Sequence, residues 1–350
     1  MSIAGRSVEP IDLYDEPGLV RRLNAYLAAA LGRPVEIGGL KRFAVGFSWI
    51  TYGFSIPAPG IAGATGLILR LGPALGLFAP YSAAPQYLSL KALEGHDVPA
   101  PRAYFWSDDA EILGAPFFIS ELVRGEAPIP WGPGSEMSDA FRQSLGQQFT
   151  DALGALHNID WQRSGLAELA ANVSVQNAAL LQIEEWERNY HRWALKAYPM
   201  FDFALRWLRA HQPVAPRVSI IHGDYRLGNF LEVDGKITAI LDWELVHLGD
   251  PHEDLAWFCL PQYRGGTKLM GKLIARDEFY ARYEAKAGFA VSEVSMRFYE
   301  IFNLVKLAAT HMAGVYAFER KGFYDMRMPA MGTQIAPVLR QIEKALEANA

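Results

Sequence analysis

Hydrophobic residues follow two different patterns along the chain. In the first third they come in short runs of β-branched and aromatic residues, Phe43–Ile56, Gly66–Leu71, Arg102–Trp106 and Pro116–Leu122. Such runs, bounded by Gly, Pro and Asp, predict strands. From Ser138 onward the apolar positions take a helical period. Phe141, Leu145, Phe149, Leu153 and Leu156 form one stripe over 141–157, and further helices are expected within 175–212 (one or two), at 267–287, 293–319 and 332–347. Two helices interrupt the strand-rich part. After an extended, partly polar arm (1–16), Asp15, Glu16 and Pro17 open a helix with Leu19, Val20, Leu23, Tyr26, Leu27 and Leu31 on one face, and Gly32 and Pro34 stop it. The second runs over Pro85–Glu94. The segment 127–138, APIPWGPGSEMS, is rich in Pro and Gly and marks a junction. The pattern therefore predicts an α+β chain with a sheet-bearing N-terminal part, 1–126, and a helical C-terminal part, 127–350.

One short β segment breaks into the helical part. The apolar run Val218–Ile221 delivers His222-Gly223-Asp224 to a loop, and Asn229 follows five residues after Asp224. A strand (Asn229–Val233), an Asp234-Gly235 turn and a second strand (Ile237–Leu241) lead to Asp242. Asp-Gly between two such runs is a hairpin signal, and the hairpin would return Asp242 to the side of Asp224 and Asn229. Phosphoryl transfer to a hydroxyl requires a carboxylate to accept the proton, and oxygen ligands that hold Mg2+ against the ATP phosphates. His-x-Asp followed by four residues and Asn, with a later strand-end Asp, is the kinase arrangement. Asp224 is thus the candidate base, and Asn229 and Asp242 the candidate metal ligands. Asp and Asn are also common turn residues; three at this spacing, joined by a hairpin, favour chemistry. His157 and His222 are expected to be structural.

The run HGDYRLGN followed by AILDWELVHLGDPHEDLAW resembles the aminoglycoside phosphotransferase-like branch of the protein-kinase-like fold. Arg226, Asp242-Trp243-Glu244 and Gly249-Asp250-Pro251 narrow the likeness to kinase-like domains related to those attached to some acyl-CoA dehydrogenases. The resemblance implies a bilobal fold, with a small antiparallel sheet in the N-lobe and a mainly helical C-lobe. It implies ATP and Mg2+ as cofactors and a small-molecule acceptor with a hydroxyl group. It implies that Ser48, in the turn Gly46–Tyr52, and Arg70, where a protein kinase carries Lys, face the phosphates. Backbone groups near Glu121 and Val123 would pair with adenine, and Arg226 would face the transferred phosphate. Without the resemblance, the turn is an ordinary hairpin turn and Arg70 a surface arginine. The helix position that would hold Arg70 falls near Gln86 in place of the usual Glu, with Glu94 as the alternative. Asp250, as a helix N-cap ahead of Pro251, and Asp254 are expected to brace the catalytic loop. Trp243-Glu244 stand where protein kinases have Phe-Gly, and no segment ends in Ala-Pro-Glu, which points away from a protein acceptor.

Composition narrows the partners. The 350 residues are 51% apolar and carry a net charge of −5 without a basic run, so no nucleic-acid partner is expected. No stretch approaches eighteen clean apolar residues, so no membrane span is expected. A single cysteine, Cys259, excludes an internal disulfide and fits a reducing cytoplasm. The opening residues lack the apolar core of a signal peptide. Residues 151–350 hold 24 acidic and 22 basic side chains, no excess for a polycationic aminoglycoside. The resemblance points instead to a hydroxy acid or hydroxyacyl-CoA. An aminoglycoside kinase and a catalytically silent nucleotide-binding pseudokinase remain alternatives. A metal-dependent hydrolase, suggested by His222, Asp224, Asp242, His247, Asp250, His252 and Asp254, ranks below them because Asn229 has no part in it. The sequence leaves the oligomeric state open.

Overall fold

The computed structural model describes residues 11–348 other than Val45, Phe47, Trp131, Pro133 and Ala171. The start of the expected N-terminal arm and Phe47 of the expected phosphate turn lie outside the described residues. The chain divides into two compact units, one of residues up to 87 together with 103–122, the other of 88–102 with 123 onward.

The first unit holds α1 (Glu16–Leu31) and five strands: β1 (Gly38–Phe43), β2 (Ile50–Ser55), β3 (Gly66–Leu71), β4 (Ala103–Ser107) and β5 (Phe117–Glu121). They form one antiparallel sheet in the order β1-β2-β3-β5-β4. In α1, Pro17 suits the first turn, where its missing N–H is no loss, and Gly32 ends the helix in the left-handed conformation, φ 62°. Leu19, Leu23 and Leu27, spaced i, i+4, i+8, are buried in the same core as Leu67, Leu69 and Leu71 of β3. Strand alternation explains the last three and sends Arg70 to the opposite face. The expected strand at 43–56 is a hairpin arm: β1 ends at Phe43, and β2 begins only at Ile50. Gly38 and Gly39 weaken the β signal of β1. Between the units along the chain runs α2 (Ala84–Leu93), and α3 (Ala110–Leu113) is a single turn joining β4 to β5.

The second unit is helical around two small pairs of strands. Its helices are α4 (Asp139–His157), α5 (Ala178–Trp193), α6 (Pro199–Ala210), α7 (His252–Phe258), α8 (Arg276–Ala287), α9 (Glu293–Lys321) and α10 (Arg327–Glu347). Ser138 caps α4, its hydroxyl accepting from Phe141 N. β6 (Ser219–Ile221) pairs with β9 (His247–Gly249), and β7 (Phe230–Val233) with β8 (Lys236–Ile240). α9 packs against α5, α6, α7 and α10. It has the length and hydropathy to cross a membrane, although its apolar run is interrupted by Lys306, and 72% of its most apolar window is buried inside the protein.

Three boundaries differ from expectation. Residues 267–275 are not helical: Gly265, Gly266, Gly271 and Lys272 have positive φ, and Met270 bridges to Ile274. α10 starts at Arg327 rather than 332. α7 starts at His252, so Asp250 caps it from one position further out, accepting from His252 N at 2.9 Å.

Candidate active site

The loop after β6 is held from beneath by one carboxylate. The backbone N–H groups of His222 and Gly223 donate to Asp254 Oδ2 (2.7 Å) and Oδ1 (2.8 Å). Asp254 lies in the first turn of α7, fully buried. His157 Nε2 stands 3.2 Å from its Oδ2, with His157 Nδ1 2.7 Å from the Tyr283 hydroxyl. Burial pushes the Asp254 carboxyl up, but His157 and the loop outweigh it and hold it below its ordinary value. Gly223 has φ 83°, and a Cβ there would lie 2.6 Å from the Leu245 carbonyl oxygen, so the turn requires glycine. His222 Nδ1 accepts from Asp224 N (3.1 Å), which leaves Nε2–H to donate to Leu241 O (2.9 Å). Burial lowers the pKa of this ring. A neutral His222 therefore ties the loop to the end of β8, a structural part.

Donors converge on the Asp224 carboxylate. Oδ1 accepts from Trp257 Nε1 (2.9 Å) and Arg226 Nε (2.8 Å), and Oδ2 accepts from Asn229 Nδ2 (2.6 Å). Asn229 Nδ2 also reaches the Asp224 carbonyl at 2.9 Å. That commits the amide nitrogen, and turns Asn229 Oδ1 to the other side. Leu241 N donates to Asn229 O at 2.8 Å, so Asp242 directly follows a residue bonded to Asn229. The Asp234-Gly235 turn makes this possible: both residues have positive φ, 51° and 77°, as a type I′ hairpin demands. Asp242 itself is left-handed, φ 68° and ψ 52°. That conformation costs a non-glycine residue roughly 1–2 kcal/mol and belongs with strain concentrated at functional positions. Asn229 Oδ1 and the Asp242 carboxylate are hard oxygen donors of the kind Mg2+ takes, so the residues fit that ion.

Arg226 is ion-paired with Asp224, its guanidinium carbon 5.7 Å from the Tyr263 ring centroid. Burial works against its charge, but Asp224 outweighs it and raises the pKa above the ordinary arginine value. Two further residues at this loop escaped sequence reasoning. One is Trp257, through the bond to Asp224. The other is Lys306 of α9, whose buried ammonium donates to Gly223 O (2.6 Å) and Glu253 Oε1 (2.8 Å). A lone Lys within the apolar run of α9 was the signal for it. Glu253 Oε2 pairs in turn with His247 Nε2 at 3.1 Å. His252 pairs with Asp250 (2.7 Å) and accepts from Ser292 N (3.0 Å). The His/Asp cluster is thus spent on internal pairs, and among the described residues no group of three or more His, Cys, Asp or Glu is arranged to hold a metal.

In the first unit, Arg70 lies across from Thr51 and Phe118, with its guanidinium carbon 5.9 Å from the Trp49 ring centroid. Ser48, next to Trp49 in the chain, is buried. Glu121 ends β5 opposite Leu67, and Val123 opens the second unit's long segment. Gln86 is buried, and its Oε1 accepts no hydrogen bond, so that oxygen is not what holds Arg70. Glu94 pairs with Lys91 at 2.7 Å.

Several known proteins are similar to this chain. Acyl-CoA dehydrogenase family member 10 of Mus musculus is 29% identical over 268 residues, covering 71% of this chain and 24% of that protein. The chain spans about a quarter of the length of that relative. Among solved structures, a candidate aminoglycoside phosphotransferase from Ralstonia eutropha JMP134 superposes with a TM-score of 0.73 at 24% identity, covering 94% of this chain and 98% of that one. A thermostable mutant of aminoglycoside phosphotransferase APH(4)-Ia, solved with ADP and hygromycin B, gives 0.62 at 13% identity over 94% and 99%. Both share the protein-kinase-like α+β fold. The model of the phosphotransferase enzyme family matches residues 61–298, from just before β3 into α9. The chain belongs to the phosphotransferase enzyme family.

Proposed function

We propose that the enzyme moves the γ-phosphoryl group of ATP to a hydroxyl of a small molecule, with Asp224 as the base. The observation that carries this reading is the Asp224 carboxylate, fixed by Trp257, Arg226 and Asn229 at the mouth of a loop that also presents Asn229 Oδ1 and Asp242. A carboxylate held in one orientation can align an acceptor hydroxyl and take its proton as the phosphoryl group leaves ATP. Asn229 and Asp242 would hold Mg2+, which supplies neutralisation of phosphate charge. Arg226 turns its remaining guanidinium donors to the transferred group. Ser48 and Arg70 bind phosphate oxygens, and backbone groups of Glu121 and Val123 pair with adenine. The ADP bound to the APH(4)-Ia relative supports a nucleotide as donor.

For the acceptor, a hydroxy acid or hydroxyacyl-CoA fits better than an aminoglycoside. Beside the base stand a cation, Arg226, and the aromatic ring of Tyr263. An acyl-bearing acceptor can pack on that ring, and the near-even count of acidic and basic side chains in residues 151–350 offers a polycation no dedicated acidic site. The name of the mouse relative points the same way. The test is a coupled assay of ATP consumption over hydroxy acids, hydroxyacyl-CoA thioesters and aminoglycosides, with Asp224→Asn as control. Turnover with the acyl class, abolished in Asp224→Asn while ATP still binds, is the expected result. Near wild-type turnover in Asp224→Asn would overturn the role of the base, and turnover with aminoglycosides alone would overturn the acceptor class.

A further inference from the structure

We infer that Trp257 and Lys306 together form a positioning device for the Asp224 carboxylate, an inference that rests on Asp224 being the base. Of the side chains donating to that carboxylate, Arg226 is needed at the phosphate and Asn229 at the metal. Trp257 alone has no second duty. Its ring is buried, and its one polar atom is spent on Asp224 Oδ1 at 2.9 Å. While Arg226 shares its guanidinium between Asp224 and the phosphate, the indole N–H gives its single bond to Oδ1.

Lys306 explains how the indole is held. A buried ammonium in an apolar helix is costly, and Glu253, at 2.8 Å, already neutralises it. That pair leaves further N–H donors of the ammonium to satisfy, and one of them goes to the carbonyl of Gly223, the residue just before Asp224, at 2.6 Å. It lies 4.9 Å from the Trp257 ring centroid and 5.7 Å from that of Trp186. A cation over an indole face attracts the ring and draws electron density from its N–H, which strengthens that donor. One ammonium thus fixes the backbone before the base and the side chain that steers it. Lys306 lies beyond residue 298, where the family match ends.

Trp257→Phe tests the device because it deletes the N–H and keeps a ring under the ammonium. With any acceptor that wild type turns over, kcat should fall about tenfold, the worth of a hydrogen bond to a charged group, while the KM for ATP stays within about twofold. Lys306→Met should lower kcat in the same sense. A second readout needs no turnover. In 15N-labelled protein the Trp257 indole N–H peak, assigned by its loss in Trp257→Phe, should move upfield in Asp224→Asn and in Lys306→Met. A kcat within twofold of wild type in Trp257→Phe, or an indole peak that Asp224→Asn leaves in place, overturns the proposal. If wild type phosphorylates no acceptor, the functional reading fails on its own, and the indole peak still decides whether Trp257 holds Asp224.

Discussion

Replacing Asp254 should destabilise the second unit strongly. Its carboxylate accepts from two loop N–H groups at 2.7 and 2.8 Å and faces His157, with no solvent exposure of the side chain. In Asp254→Ala both N–H groups lose their acceptor, and water cannot easily replace it. A buried donor left unpaired costs about 1–3 kcal/mol, so two of them give about 2–6 kcal/mol. Against total stabilities of about 5–15 kcal/mol that is a large share. Asp254→Asn keeps one carbonyl oxygen but points an amide N–H at a backbone N–H, and should cost about 2 kcal/mol or more. Urea unfolding followed by tryptophan fluorescence measures the difference as a lower midpoint at unchanged slope. The acid dependence provides an independent check. Because the native state holds this carboxyl below its ordinary value of 3.8, its contribution is complete above that pH and is lost as pH falls through the lower native value. Wild type should therefore lose stability below about pH 4 more steeply than Asp254→Asn. A midpoint for Asp254→Asn within about 0.5 kcal/mol of wild type, where ordinary surface substitutions fall, would refute the reasoning.

Gly223→Ala should lower both stability and kcat, since its Cβ would meet the Leu245 carbonyl oxygen at 2.6 Å in a left-handed residue; urea unfolding and the coupled assay read the two effects. For His247, burial lowers the pKa but Glu253 outweighs it, so the ring should titrate by NMR with a midpoint above 6.5, and Glu253→Gln should bring it down. The sign for stability is that the charged pair contributes fully below 6.5 and is lost as pH rises through the raised native value. Burial pushes the Cys259 thiol up to about 12, so Ellman's reagent at neutral pH should label it only after denaturation.

The catalytic hairpin was legible because its signals are local. Asp234-Gly235 specifies the turn, and Asp224, Asn229 and Asp242 fall within one short segment that the turn folds back on itself. Arg70 was singled out by resemblance alone, and the alternation of β3 that turns it away from the buried leucines became visible only in the structure. Long-range partners were harder to see. Asp254 was expected to brace the loop, but its bonds to His222 and Gly223 span about thirty residues, a separation no periodicity encodes. Lys306 is further still from Gly223. Misread boundaries have local causes too. The glycines at 265, 266 and 271 break the helical period expected from 267, and Gly271 is packed so tightly on Phe258 that no side chain fits. Pro329 in the first turn of α10 and Pro337 inside it obscured a helix that begins at Arg327.

The burial of α9 has a consequence for synthesis. Residues 301–318 contain a single Asp, Glu, Lys or Arg, and that residue is Lys306. A ribosome releases this segment only after the catalytic motif, α5, α6 and α7 are already made. Until then the loop carrying Asp224 has no ammonium beneath Gly223 and α7 has no helix to pack on. A nascent chain stopped before residue 293 would carry every letter of the motif and none of this support. Once released, α9 docks onto the waiting helices, which bury 72% of its most apolar window. The motif is thus written early, and the support that completes it arrives late.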